Sequence, residues 1–311
     1  MYTKYKLIIP EAQVYNEISQ EGYNSFMDSF KLKAYAKINL GLDVVKKLPN
    51  GYHQVKMLMQ TVGIYDELTL EKAEDGITVT TDSGELPTDE NNLIYKAARL
   101  MRETYHIKEG VKIHLQKNIP IAAGMAGGST DAAAAMKGMN LLFGLEIPTS
   151  ELMRISVTIG ADVPYCILGG TALAEGIGEK LTPLIPAPSC FVLVAKPDIN
   201  VSTKYVYEHL DATGIPSHPD IDGMVTAIGN GSLQGILDRM ENVLESVTIP
   251  AYPVIDTIKE RMLELGAAGN LMSGSGPTVF GIFLNKATAA AALEQLKDDG
   301  LAKQLFLTTF V

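Results

Sequence analysis

From Lys31 onward, apolar and polar residues alternate with the period of two that is typical of β-strands. KLKAYAKINLGLDVV predicts one strand, LPNGYH predicts a turn at Asn50 and Gly51, and QVKMLMQTVGIY predicts the returning strand. DELTLEKAEDGITVTT predicts a second hairpin around Asp75 and Gly76, and GVKIHLQK predicts a further strand. Antiparallel strands are therefore expected in the first half of the chain.

Several segments follow the helical period instead. NLIYKAARLMRETY predicts an amphipathic helix capped by Asn91 or Asn92, and DAAAAMKGMNLLFGL is strongly helical because alanine has the highest helix propensity. TSELMRISVTIG predicts a helix from Thr149 to Gly160, and YCILGGTALAEGIGEKLTPL predicts short strands joined by glycine pairs. Further on, FVLVAKP and LFLTTF predict strands, and helices are predicted at about 202–210, 220–228, 232–246, 252–264 and 287–299. Helices mixed with hairpins, without regular βαβ alternation, predict an α+β fold.

A cluster of prolines suggests a boundary between two domains. Three prolines gather in PLIPAPSC, so we expect one domain over residues 31–185 and a second over 186–311. Residues 1–30 show no sustained periodicity, and we treat them as an N-terminal extension of uncertain status. Whether residues 1–26 belong to the native protein stays open.

Composition narrows the class of protein. The chain has 36 acidic against 26 basic residues, a net charge of −10, which argues against broad nucleic-acid binding but allows a small anionic ligand. No apolar stretch approaches the roughly 18 residues of a membrane span, and no signal-peptide core is present at the N-terminus, so we expect a cytoplasmic protein without a membrane partner. Cys166 and Cys190 lack metal-ligand spacing and are expected to be buried thiols.

A glycine-rich segment, NIPIAAGMAGGST, joins a predicted strand to a predicted helix. A helix N-terminus offers unsatisfied N–H groups and a partial positive charge, and glycines allow the backbone to turn and approach phosphate oxygens. We expect Gly124, Gly127 and Gly128 to supply the turn, and Ser129 and Thr130 to add hydroxyl donors. The Gly-Lys-Ser/Thr ending of a Walker loop and the spacing of a Rossmann fingerprint are both absent. A helix cap packed on a sheet is the alternative.

Three other segments contain polar or small residues that could form a site together with the glycine-rich segment. In AKINLGL, Lys37 and Asn39 project from one face of the strand and the apolar residues from the other; a solvated surface lysine is the alternative. In IGADVP, Asp162 sits in an apolar setting, where a carboxylate needs either a partner or a function, unless it is a turn residue. LMSGSGPTVFG is a second loop of small residues, and its alternative is a tight hairpin.

AKINLGL, PIAAGMAGGSTDAA and LMSGSGPTVFG, in this order, resemble the three signatures of the GHMP kinases (galactokinase, homoserine kinase, mevalonate kinase and phosphomevalonate kinase). The resemblance covers about residues 31–311, and GYH, GADVP and GGTALAEGIGE are similar to the branch that acts on a cytidyl diphosphate-linked polyol. Tyr35 stands where that branch usually has proline. The resemblance implies an N-terminal domain with a mixed or antiparallel sheet, a ferredoxin-like C-terminal α/β sandwich, and an active site between them.

The resemblance also implies an activity: transfer of a phosphoryl group from ATP, with Mg²⁺, to the 2-hydroxyl of the polyol, in the non-mevalonate isoprenoid precursor pathway. By the same resemblance Lys37 and Asp162 are catalytic, and Asn39, Tyr52, His53 and Thr203 bind the substrate. The ATP-binding residues would be Lys117, Pro120, Ile121, Ala122, Ala123, Gly124, Met125, Ala126, Gly127, Gly128, Ser129 and Thr130. The metal ligands, the choice between monomer and homodimer, and the timing of proton transfer at Asp162 stay open.

Two other functions compete with this one. A kinase for another small alcohol, such as homoserine or mevalonate, would lack cytosine contacts from Tyr52 and His53. A catalytically inactive nucleotide sensor belongs to a different class, and the presence of both Lys37 and Asp162 argues against it, because a sensor needs neither.

Overall fold

Two β-sheets organise the computed structural model, which describes residues 5–7, 29–212, 214, 215 and 217–311. The strands are β1 (Tyr5–Leu7), β2 (Ser29–Lys47), β3 (His53–Ala73), β4 (Ile77–Thr81), β5 (Gly110–Gln116), β6 (Thr171–Gly176), β7 (Lys180–Pro183), β8 (Phe191–Lys196), β9 (Gly269–Met272), β10 (Val279–Phe283) and β11 (Gln304–Thr309). The helices are α1 (Leu93–Thr104), α2 (Gly127–Leu142), α3 (Thr149–Ser156), α4 (Val163–Leu168), α5 (Thr203–His209), α6 (Ile221–Gly229), α7 (Leu233–Leu237), α8 (Glu245–Ala251), α9 (Val254–Glu264) and α10 (Lys286–Asp299). This mixture confirms the predicted α+β fold.

The first sheet has the order β4-β5-β3-β6-β7, and β2 pairs along β3. The strands β2 and β3 are 19 and 21 residues long and form the predicted hairpin around Asn50 and Gly51. The predicted second hairpin at Asp75 and Gly76 is wrong, because β4 pairs in parallel with β5 and not with β3. The strand β5 lies between the two, and its antiparallel pairing with β3 takes the hydrogen-bonding edge that β4 would need.

The second sheet has the order β1-β11-β8-β10-β9. The chain passes from the first sheet to the second between Pro183 and Phe191, within the proline-rich segment. Of the N-terminal extension, residues 5–7 form an edge strand parallel to β11, and residues 1–4 and 8–28 lie outside the described residues. Among the described residues, no helix is long and apolar enough to cross a membrane.

The packing between the two sheets fixes the orientation of β2. Ala36, Ile38 and Leu40 are completely buried, in a cluster with Val194 and Phe280 of the second sheet. This confirms the predicted alternation, and it turns the polar residues of the same strand to the opposite side. Burying three apolar side chains in this way contributes several kcal/mol, at about 25 cal/mol per Å² of apolar surface.

The helices follow the predicted pattern with local differences. The side chain of Asn92 caps α1 by accepting a hydrogen bond from the Ile94 N–H at 2.8 Å. The helix α3 ends at Ser156, before the predicted stop at Gly160, and the predicted strand after Asp162 is instead α4. Pro164 lies in the first turn of α4, where its missing N–H costs no hydrogen bond.

The helix predicted over 232–246 is interrupted between α7 and α8. In this gap Asn242 donates from Nδ2 to the carbonyl oxygens of Met272 and Gly274, both at 2.8 Å. These bonds satisfy the backbone of the second small-residue loop. The loop, residues 273–277, is thereby held against the interrupted segment.

The two small-residue loops touch through their backbones. Gly124 has φ +70°, and a Cβ atom placed there would lie 2.1 Å from the carbonyl oxygen of Ser273. The Ser273 hydroxyl donates to the Gly124 carbonyl at 3.0 Å. Only glycine combines this positive φ with such a close approach.

We therefore expect Gly124→Ala to lower the free energy of unfolding by at least ~2 kcal/mol, measured by urea denaturation, because strain and a backbone clash add. Gly76→Ala is the matched control, since Gly76 has φ +77° and a Cβ atom placed there would meet nothing within 4 Å. This variant should cost only about 1 kcal/mol. Equal losses for the two variants would contradict the contact between the loops.

Candidate active site

A cleft of about 1020 Å³ brings the predicted site segments together. It is lined by the glycine-rich loop, the tip of the β2–β3 hairpin, the residue before α4, the start of α5 and the loop after β9. The cleft therefore lies where elements of both sheets meet.

The glycine-rich loop exposes its backbone to this cleft. Ile119, Ala123 and Met125 are buried in the core, which anchors the loop at three points. Left-handed φ values occur at three alternate residues, 51° at Ala122, 70° at Gly124 and 57° at Ala126. Alternation of left-handed and other residues turns successive N–H groups to one side and forms an anion-binding concavity.

Gly127 and Gly128 have a different role from the one expected. They begin α2 and do not form the turn, which two alanines and Gly124 make instead. A Cβ at Gly127 would lie 2.9 Å from Nζ of Lys117, and one at Gly128 would lie 3.3 Å from Leu93. Close packing beneath the helix start, and not backbone conformation, accounts for glycine at these positions.

The start of α2 is open to a ligand. Ala126 occupies the N-cap position with no side-chain cap, and the Thr130 N–H is already bonded to the Ala126 carbonyl at 2.8 Å. The N–H groups of the first turn before Thr130 need partners from outside the helix. With the partial positive charge of the helix end, they favour a phosphate group.

Lys37 projects its ammonium group into the same region. The side chain is buried, its Nζ donates to Oδ1 of Asn39 at 2.8 Å, and it lies 3.8 Å from Oδ2 of Asp162. Its backbone N–H donates to the Met125 carbonyl of the glycine-rich loop at 3.2 Å. Irregular register on both sides of Lys37, at Tyr35 and Asn39, adjusts the direction of the strand there.

Asp162 remains accessible although it faces a buried cation. It holds the N-cap position of α4 but makes no capping hydrogen bond, and 34% of its side chain is exposed. Its carboxylate is therefore free to accept a hydrogen bond from a ligand. A buried cation beside a half-buried carboxylate is an arrangement suited to orienting a hydroxyl group.

Lys117 lies below the loop, in a buried cluster with two carboxylates. Its Nζ contacts Oδ2 of Asp66 and lies 2.9 Å from Oδ2 of Asp131. Asp66 also accepts the backbone N–H of Ile119 at 2.8 Å. Burial raises the pKa of Asp131 well above its usual value, and Lys117 offsets this effect only in part. The cluster joins β3, the end of β5 and α2 beneath the loop.

The far end of the cleft is aromatic. Tyr52 is exposed, whereas His53 is buried and its Nε2 has no hydrogen-bond partner among the described residues. Burial and, secondly, the charge of Lys47 lower the pKa of His53, so its imidazole is neutral at pH 7. The ring of Tyr207 lies against His53, with 5.1 Å between the ring centroids. This end offers flat faces and an unpaired polar edge.

Most predicted site residues line the cleft, but three do not. Asn39 is fully buried behind Lys37, Thr130 is buried with its hydroxyl donated to the Tyr35 carbonyl at 2.8 Å, and Met125 points into the core. Thr203 lines the cleft, and its hydroxyl is 2.8 Å from that of Ser275.

Sequence reasoning missed several residues of the cleft. Tyr207 lies four residues after Thr203, one helical turn away on α5, and this spacing was the available signal. The sequence predicts only a helix cap at Asn91 or Asn92, whereas the segment that leads into α1 lines the loop end of the cleft with Leu86, Pro87, Asn91, Asn92 and the first helical residue, Leu93. No local sequence pattern marks Asp66 or Asp131 as site residues, because each pairs with Lys117, which is not its neighbour in the sequence.

An open helix start beside a lysine–aspartate pair has the features that phosphoryl transfer needs. Residues 92–170 match the family described as GHMP kinases N terminal domain, and residues 224–301 match GHMP kinases C terminal. The chain belongs to the GHMP kinases and is an ATP-dependent small-molecule kinase. This confirms the family and the two-domain fold expected from the sequence.

The names of its relatives are more specific than the family. The chain is 56% identical, over 91% of its length and 98% of the relative's, to 4-diphosphocytidyl-2-C-methyl-D-erythritol kinase of Lachnospira eligens. It is 52% identical, over 91% of its length and 98% of the relative's, to the protein of the same name from Lachnoclostridium phytofermentans. A crystal structure of 4-(cytidine 5'-diphospho)-2C-methyl-D-erythritol kinase superposes with a TM-score of 0.77 at 32% identity, covering 90% of this chain and 99% of that one.

The buried cluster around Lys117 should contribute to the free energy of unfolding. Asp66→Asn should lower the free energy of unfolding by about 3 kcal/mol at pH 7, because it weakens a buried ion pair and a backbone acceptor. Asp131→Asn should lower it by less than Asp66→Asn does, because burial raises the pKa of Asp131 and so reduces what its ionised form contributes to stability.

The pH dependence follows from the raised pKa of Asp131. Protonated Asp131 stabilises the fold, because its pKa is higher in the folded chain than in the unfolded chain. This contribution is complete below the unfolded-state pKa of Asp131 and is lost as the pH rises through its folded-state pKa. The free energy of unfolding of Asp131→Asn, measured by urea denaturation, should therefore rise relative to that of the wild type as the pH is raised. Similar losses for both variants at every pH would contradict this description of the cluster.

Proposed function

We propose that this chain transfers the γ-phosphoryl group of ATP to the 2-hydroxyl of 4-diphosphocytidyl-2-C-methyl-D-erythritol, in the non-mevalonate isoprenoid precursor pathway. The observation that carries the proposal is that Lys37 and Asp162 lie in a single cleft with the phosphate-binding loop and the His53 end. The names of the relatives support the choice of acceptor.

The donor would bind at the glycine-rich loop. Its phosphates would accept hydrogen bonds from the N–H groups around Ala126 and at the start of α2, and the segment at Leu86 and Pro87 would contact the nucleoside. Lys117 would act through the loop, because its ammonium group is already paired with two carboxylates. Its role is therefore to support the cradle and not to grip a phosphate as a Walker lysine does.

The residues also fit Mg²⁺. Within the described part of the chain, no group of three His, Cys, Asp or Glu side chains is arranged for a metal. Mg²⁺ commonly takes only one or two protein oxygens and completes its shell with water and substrate phosphates. The Ser129 hydroxyl lines the cleft at the start of α2 and would serve in this way. When bound, the ion would offset negative charge on the phosphates.

Transfer needs an oriented hydroxyl and charge stabilisation. Asp162 would accept a hydrogen bond from the acceptor hydroxyl, whose oxygen attacks the γ-phosphorus while the bond to the β,γ-bridging oxygen breaks. The hydroxyl proton passes to Asp162, and ADP is the leaving group. Lys37 would stabilise the charge that develops on the transferred group, and Asn39 would hold the Lys37 ammonium in position.

The acceptor's cytosine would bind at the aromatic end. The neutral His53 ring has an unpaired buried nitrogen for the polar edge of the base, and Tyr52 and Tyr207 offer faces for stacking. Thr203 would contact the acceptor nearer to the transferred group.

A cytoplasmic location belongs to the proposal. It is supported by the free thiols of Cys166, which is half-buried, and Cys190, which is buried. Burial raises the pKa of each thiol to about 12, so both stay protonated and unreactive at pH 7.

The direct test is an ADP-release assay with the diphosphocytidyl substrate, homoserine and mevalonate in parallel. The proposal predicts turnover of the diphosphocytidyl compound alone. Fast turnover of homoserine or mevalonate, with none of the diphosphocytidyl compound, would overturn it.

Asp162→Asn should reduce kcat by at least ~100-fold, because the amide cannot accept the proton. ATP binding, measured by calorimetry, should remain nearly intact. Turnover close to that of the wild type would remove Asp162 from the mechanism.

His53→Ala should raise KM for the diphosphocytidyl substrate and leave KM for ATP nearly unchanged, because only the acceptor base meets this ring. Steady-state kinetics with each substrate varied in turn gives both constants. An unchanged acceptor KM would refute the cytosine assignment.

A further inference from the structure

The acceptor end of the cleft contains a lysine to which the mechanism gives no role. Lys47 is the last residue of β2, pairs with His53 on β3 and lines the cleft next to Tyr52. Residues directly opposite each other in an antiparallel pair project from the same face of the sheet. Lys47 and His53 therefore point to the same side, in agreement with the electrostatic effect of Lys47 on His53.

Lys47 differs from the other lysines of the cleft in having no carboxylate partner among the described residues. The other lysines that line the cleft are paired: Lys37 with Asp162, Lys117 with Asp66 and Asp131, and Lys204 with Glu208. Lys47 is also exposed, so a ligand reaches its ammonium group without a large desolvation cost. Its charge is available to an anion in the cleft.

The hairpin keeps the base of this lysine in place. The Leu48 N–H donates to the Tyr52 carbonyl at 2.7 Å, and the Gly51 N–H donates to the Leu48 carbonyl at 3.0 Å. Gly51 has a φ of 86°, which closes the turn. The backbone of Lys47 is thereby fixed relative to His53, while its side chain is free to reach a ligand.

We propose that Lys47 binds the diphosphate group of the acceptor and so selects an acceptor that carries a phosphorylated nucleoside. The inference rests on the proposed function. A base at His53 and a reacting hydroxyl at Asp162 would be joined by a linker that runs through the cleft, and Lys47, opposite His53, lines the cleft at the base end of that linker. That linker is a diphosphate, and a lysine side chain is a suitable point charge for it.

The test measures binding of cytidine, cytidine monophosphate and cytidine diphosphate to the full chain by calorimetry. Lys47→Met should weaken cytidine diphosphate about tenfold while changing cytidine less than about twofold, because only the phosphates meet the ammonium group. Lys46→Met is the matched control: Lys46 pairs with Gln54, projects from the other face and does not line the cleft. It should leave all three affinities unchanged.

Several results would overturn the inference. If Lys47→Met weakens cytidine as much as cytidine diphosphate, Lys47 serves the base; if it weakens neither, or if Lys46→Met has the same effect, Lys47 does not recognise the linker. Failure of the proposed function looks different. In that case the wild type itself binds none of the three cytidine compounds and turns over another alcohol.

Discussion

The site depends on the buried ammonium group of Lys37. A buried cation is costly unless it is paired and hydrogen-bonded, and Lys37 meets this requirement with Asn39 and Asp162. Its backbone N–H at the same time holds the carbonyl of Met125. One residue of β2 therefore fixes the distance between the glycine-rich loop and the Asp162 carboxylate, and the apolar side of the strand fixes Lys37 through the packing of the two sheets.

The glycine-rich loop forms much of the remaining wall of the cleft. The N–H groups at the start of α2 lack a side-chain cap, and the loop meets the second small-residue loop through the backbone at Ser273 and through the hydrogen bond from the Ser273 hydroxyl to the Gly124 carbonyl. The charged residues support this arrangement from below, as Lys117 does with Asp66 and Asp131. Preorganised backbone dipoles need no reorganisation when charge moves between oxygens, which suits phosphoryl transfer.

The local parts of this arrangement could be predicted from the sequence. Period-two alternation placed Lys37 on the face opposite to Ile38, and the strand–glycine–helix order located the loop, because both depend on neighbouring residues. Long-range pairing was beyond prediction: nothing near Asp75 shows that β5 separates β4 from β3. The left-handed conformation of Ala126 was also hidden, since propensity assigns such positions to glycine and tertiary packing overrides it here.

In the proposed reaction, a single cleft holds the donor phosphates at α2, the reacting hydroxyl at Asp162 and the nucleobase at His53. A crystal structure with a non-hydrolysable ATP analogue and the diphosphocytidyl acceptor tests it most directly. We expect the 2-hydroxyl within hydrogen-bonding distance of the Asp162 carboxylate, in line with the γ-phosphorus, and the cytosine against His53. An acceptor hydroxyl that contacts neither Asp162 nor Lys37, or a cytosine bound elsewhere, would contradict it.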